Sequence, residues 1–177
     1  MLGLMQDHPL LISSIFEHAV GNYGKQEIVS NTVEGGIHRY NYSSWGERTK
    51  KLANALKSLN LNQGDKVGTL AWNGYRHLEI YYATSCSGLI CHTLNPRLHP
   101  DQVSYIVNHA EDKVLCVDLN ILPLIEKASE NFKTVEALVI MTDEKNMIKP
   151  NIKDGIKIIC YEEFIKDQSE EYIWPQL

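Results

Sequence analysis

"GDKVGTLAWNGYRHLEIYYATSCSGLICHTLNPRLHPDQVSYIVNHAEDKVLCVD", residues 64–118, is the stretch whose reading decides the fold. It contains three apolar runs, Val67–Ala71, Leu89–Leu94 and Val114–Val117, and a fourth, Ala137–Met141, continues the series beyond it. Their centres lie about 23 residues apart, the length of one strand-plus-helix unit. Helix-like segments fill the gaps: "YRHLEIYYATSCSG", then "PDQVSYIVNHAE", then "ILPLIEKASENF". Pro100 suits a first helical position, where the N–H it lacks would have no partner. The apolar runs do not alternate with polar residues, so they predict strands buried on both faces, and their alternation with helices predicts that they are parallel. The expected architecture is α/β: a mostly parallel, doubly wound sheet with helices on both faces.

Upstream, "LLISSIFEHAV" spaces Leu11, Ile15 and Val20 on one helical face, and Gly21 to Gly24 should stop that helix. "QEIVSNTV" and "IHRYNY", joined across Glu34-Gly35-Gly36, read as a β-hairpin. The helix that follows carries an apolar stripe of Leu52, Leu56 and Leu59, and Ser44 with Glu47 has the spacing of a capping box. Downstream, "DEKNMIKPNIKDG" reads as a polar loop and "IKIICYEEFI" as a further strand and helical turn, whereas "EEYIWPQL" fits no complete element. The expected division is an N-terminal helical segment over 1–24, a hairpin over 25–42, an α/β core over 43–145 and a peripheral, incomplete part over 146–177.

Composition narrows the functions available. Hydrophobic residues make up 44% and charged residues 22% of the 177, which suits one substantial soluble core. The net charge is −5 and no basic cluster occurs, so the electrostatic footprint of nucleic-acid binding is missing. Asp7, His8, Pro9 and Glu17 interrupt the apolar N-terminus, which therefore resembles neither a signal peptide nor a membrane span, and a cytoplasmic protein is expected. Cys86, Cys91, Cys116 and Cys160 lack C-x-x-C spacing and read as reduced thiols.

Ligands of parallel α/β sheets sit at the carboxyl ends of the strands, here "WNGYRH", "NPRLHP", "DLN" and "TDE". None of these segments is a glycine-rich phosphate cradle, and neither G-x-G-x-x-G nor G-x-x-x-x-G-K-[ST] occurs in the chain. There is no G-x-S-x-G elbow, no H-E-x-x-H and no cluster with metal-ligand spacing. His77 and Glu79, two residues apart, should lie on different helix faces. Asp118 lacks the acidic and lysine partners of a phosphoacceptor. In "NPRLHP" each proline drives the residue before it toward extended geometry, making a rigid connector. From it Arg97 and His99 could face a ligand or bond to neighbouring chain; the second reading is favoured. His92, Asn95 and Arg97 are the candidate cleft-bordering residues, with no catalytic or metal-ligating residue assigned.

Within residues 64–118, "RHLE", "HTLNPRL" and "NHAEDK" resemble the AMP-forming acyl-CoA synthetases, in particular the medium- and long-chain fatty-acid CoA ligases. The resemblance extends from "LLISSIFEHA" to "YIWP". It implies activation of a fatty acid by ATP and Mg2+ to an acyl-adenylate, then transfer to coenzyme A. It also implies a homodimer with Leu10 to Val20 as a contact; no transmembrane segment is expected, and peripheral membrane contact is left open. The family's T-S-G-T-T-G-x-P-K-G phosphate loop, its Y-G-x-T-E-like motif, its hinge aspartate and its catalytic lysine are all missing from these 177 residues. The chain is therefore expected to be an N-terminal fragment of such a ligase, inactive alone, with a complete non-catalytic binding or interaction module as the alternative.

Overall fold

A computed structural model describes residues 3–5 and 8–177. Asp7, one of the residues interrupting the apolar N-terminus, lies outside the described residues. Helix α1, Ile12–Tyr23, precedes an antiparallel hairpin of β1, Glu27–Asn31, and β2, Ile37–Asn41. Helix α2, Tyr42–Lys57, then leads into the repeating part of the chain. That part runs β3, Lys66–Leu70; α3, Tyr75–Cys86; β4, Ile90–Thr93; α4, Pro100–Ala110; β5, Asp112–Val117; α5, Leu122–Ser129; and β6, Ala137–Ile140. Strand β7, Lys157–Cys160, and helix α6, Tyr161–Lys166, follow.

The strands from β3 onward form one parallel sheet in the order β4-β3-β5-β6-β7. Crossovers of one hand explain the layering. The leftward step from β3 to β4 carries α3 on one face with α2 and α6, and the rightward steps to β5 and β6 carry α4 and α5 on the other. The central strands β3, β5 and β6 are buried almost throughout, and the edge strands β4 and β7 are partly exposed. Burial on both faces removes any need for a polar side chain at alternate positions, which is why these runs read as continuous apolar sequence. Burying Val67, Leu115, Val117, Leu138 and Ile140 contributes roughly 1.5–3 kcal/mol each.

Four local readings change. Helix α1 continues through Gly21 to Tyr23, and its buried residue is Phe16, while Ile15 is exposed. Helix α2 is capped by Asn41, whose Oδ1 accepts the Ser44 N–H at 2.9 Å, so Ser44 lies inside the helix. Asn41 is also the last residue of β2, so strand passes into helix with no loop to announce the cap. Leu59 lies beyond the end of α2 at Lys57. Residues 146–177 add β7 to the same sheet, so position 145 marks no structural boundary.

Candidate functional site

The chain leaves β3 to one side for β4 and to the other for β5, so the order reverses at β3 and a crevice opens at the carboxyl ends of β3 and β5. Trp72 and Asp118 stand there. The Asp118 Oδ2 accepts the Trp72 backbone N–H at 2.7 Å, and the Trp72 Nε1–H donates to Asn120 Oδ1 at 3.2 Å. His77, two residues into α3, bridges Thr69 Oγ1 at 3.0 Å and the Trp72 carbonyl at 3.1 Å, fixing the turn between strand and helix. Burial lowers the pKa of His77. Burial also pushes the Asp118 carboxyl up to about 6, against the opposing Trp72 N–H.

The tip of the hairpin closes over this point. Asn31, Thr32, Val33 and Glu34 line one side of a cavity of about 30 Å³, and Trp72, Tyr75, Asp118 and Met141 line the other. A cavity of that size holds about one water molecule. Glu34 holds the tip down: its Oε1 accepts from Arg76 Nη1 at 2.7 Å and from Thr142 Oγ1 at 3.0 Å. Arg76 also donates to Glu162 Oε1 at 2.7 Å and to the Met141 carbonyl at 2.9 Å. Arg48 pairs with both Glu79 and Glu162, and Tyr161 donates to Glu79 at 2.6 Å. Burial works against ionisation of Glu162, but Arg48 and Arg76 hold its carboxyl below the usual range. This network joins the hairpin, α2, α3 and α6, and its charged groups are occupied with one another.

Of the residues singled out from sequence, Asn95 and Arg97 are not among those lining the cavity, and Arg97 reaches back toward Trp72. Asn95 Oδ1 accepts the Arg97 N–H at 3.0 Å, and the Arg97 guanidinium lies 5.9 Å from the Trp72 ring centre. His99 caps α4, its own N–H donating to Gln102 Oε1 at 3.0 Å, so the connector reading holds for His99. His92 is not among the residues lining the cavity. Its Nδ1 lies 2.9 Å from each oxygen of the buried Asp112, across β3 at Gly68. A Cβ on Gly68 would come within 3.0 Å of Asp112 Oδ2 and 2.5 Å of Leu115 Cδ2, so glycine is what lets this pair close. His77 and Glu79 do point to different partners, but both are buried.

The crevice offers a wall rather than reactive groups: a part-exposed indole, with the Arg97 guanidinium over its ring and the Asn120 amide oxygen on its N–H. No glycine-rich turn converges backbone N–H groups on it, and the described residues contain no group of three or more His, Cys, Asp or Glu able to hold a metal ion. These residues do not fit the triphosphate of ATP or its Mg2+.

A doubly wound parallel sheet with a switch-point crevice at its carboxyl edge defines a ligand-binding α/β scaffold. A family model described as AMP-binding enzyme matches residues 16–170, and the chain belongs to that family. It is 41% identical over 99% of its length to a 3-methylmercaptopropionyl-CoA ligase of Ruegeria lacuscaerulensis. It is 40% identical over 100% to a medium-chain-fatty-acid–CoA ligase of Ectopseudomonas oleovorans, and 43% identical over 97% to a long-chain-fatty-acid–CoA ligase of Thermus thermophilus. It covers 32%, 32% and 30% of those proteins, so the chain spans about a third of the length of the curated relatives it matches. Among solved structures, an anthranilate CoA ligase in complex with anthranoyl-AMP superposes with a TM-score of 0.77 at 22% identity, over 97% of this chain and 32% of that one. That likeness establishes the fold, which is that of the N-terminal region of adenylate-forming ligases.

Proposed function

We propose that this chain is the N-terminal α/β region of an acyl-CoA ligase that activates a medium- or long-chain fatty acid with ATP and transfers the acyl group to coenzyme A. The observation that carries this reading is the family match over residues 16–170, joined to 40–43% identity with ligases named for fatty acids. The 3-methylmercaptopropionyl-CoA ligase relatives make a short thioether acid the competing substrate. In this reading the chain supplies a scaffold and one wall of a ligand cleft, with Asn95 and Arg97 at its rim. ATP, Mg2+ and coenzyme A bind chiefly through residues outside it, and the chain alone is inactive. A cytoplasmic homodimer belongs to the same proposal; no helix among the described residues is long and apolar enough to cross a membrane.

A chimera tests the reading. This chain replaces the matching third of the Ectopseudomonas oleovorans enzyme, and acyl-CoA formation is measured with medium-chain fatty acids and with 3-methylmercaptopropionate. The proposal expects acyl-CoA from the fatty acids. A folded chimera that forms none would sink it.

A further inference from the structure

Residues 169–177 form no regular element, yet they are held at several points along the helical face of the molecule. Asn54 on α2 donates through Nδ2 to the carbonyls of Ser169, at 2.9 Å, and Glu171, at 3.0 Å. Lys51 pairs with Glu170 at 3.0 Å, and the Leu177 side chain rests against Gly88. Between these anchors Trp174 reaches α1. Its ring meets Phe16 edge-on with centroids 5.2 Å apart, and its Nε1–H donates to Glu17 Oε1 at 2.8 Å.

Helix α1 is otherwise held by its packing on α2 and α3. Phe16 is its one fully buried side chain, Val20 seats on Gly46 of α2, Glu17 lies 3.6 Å from Lys50, and no side chain caps its N-terminus. Beneath it sits a box of Trp45, Tyr82 and Cys86 around Phe16. Cys86 packs in the same cluster as Phe16 of α1, and its thiol is pushed up to about 12, by burial first and then by the Glu17 charge. Segments with few buried contacts open locally below the free energy of global unfolding.

We propose that α1 and the 169–177 segment form a clasp that opens as one unit: when Trp174 leaves its seat, α1 lifts from α2 and α3 and bares the aromatic box, while the parallel sheet stays folded. Trp174 thereby couples the position of the N-terminal helix to a segment more than 150 residues away in sequence.

The four free cysteines make the test direct. The intact chain and its Trp174→Ala variant are treated with a thiol-alkylating reagent, and each cysteine is followed by peptide mass spectrometry. Cys86 reports the clasp, and Cys116, in the central strand β5, reports the sheet. Loss of the ring contact and the charge-assisted hydrogen bond that join Trp174 to α1 should speed Cys86 labelling on the order of tenfold, with Cys116 unchanged. Asn54→Ala, which removes two anchors of the segment without touching α1, should raise Cys86 alone by a smaller factor, and it carries the test if the first variant does not fold. Equal acceleration of Cys86 and Cys116, or no acceleration of Cys86, would overturn the clasp.

Discussion

Asp118 shows how much a single position can set. Its side chain ties the end of β5 to the turn after β3, and burial lifts its carboxyl to about 6, from 3.8 in an exposed chain. A raised carboxyl keeps its proton longer in the folded state, so its contribution to stability is complete below the unfolded pKa and is lost as pH rises through the folded one. Asp118→Asn keeps an acceptor for the Trp72 N–H and cannot ionise. The stability of the natural chain relative to this variant, from urea unfolding between pH 4 and 7, should therefore fall by on the order of 3 kcal/mol as pH rises. Parallel profiles would show that Asp118 is already ionised across the range. Little of this was legible from sequence, because Asp118 follows an apolar strand like any strand-end residue. Gly68, not singled out from the sequence, carries a signal of its own: a glycine inside an otherwise apolar strand marks close approach of neighbouring groups, here His92 and Asp112.

At the scale of elements, the repeating strands and helices could be read because burial on both faces writes a regular apolar rhythm into the sequence. The hairpin could be read from its glycine turn. The network that pins the hairpin could not, since Arg48 and Glu162 lie 114 residues apart and Arg76 and Glu34 lie 42 apart, with no periodicity linking them. Arg76→Leu leaves Glu34 without its counter-charge and Glu162 with Arg48 alone, and should cost about 3–5 kcal/mol in denaturant unfolding. Arg39→Leu, which breaks an exposed pair with Glu27, should cost no more than about 1 kcal/mol. The cap of α2 gives a second check. Asn41→Ala should cost about 1 kcal/mol, and Ser44→Ala, which leaves the capping contact in place, only a few tenths. Equal losses would return the cap to Ser44.

For the whole molecule, the fold accounts for a scaffold, and the charged groups beneath its crevice are consumed in holding the hairpin, α2, α3 and α6 together. Chemistry on a triphosphate would need converging N–H groups and a metal-holding cluster, and the described residues contain no group of three or more His, Cys, Asp or Glu able to hold a metal ion. The family could be recognised from the residues around "HTLNPRL" while the crevice itself could not, since motifs are local and the crevice is assembled from the hairpin, β3, β5 and β6. In the proposed function this chain is the scaffold third of an acyl-CoA ligase. The most direct measurement is fatty-acid-dependent ATP–pyrophosphate exchange, on the 177-residue chain alone and on the chimera that carries it. Background exchange for the chain and exchange clearly above background for the chimera are the predicted result. Exchange by the chain alone in a clean preparation, or none by a folded chimera, would contradict it.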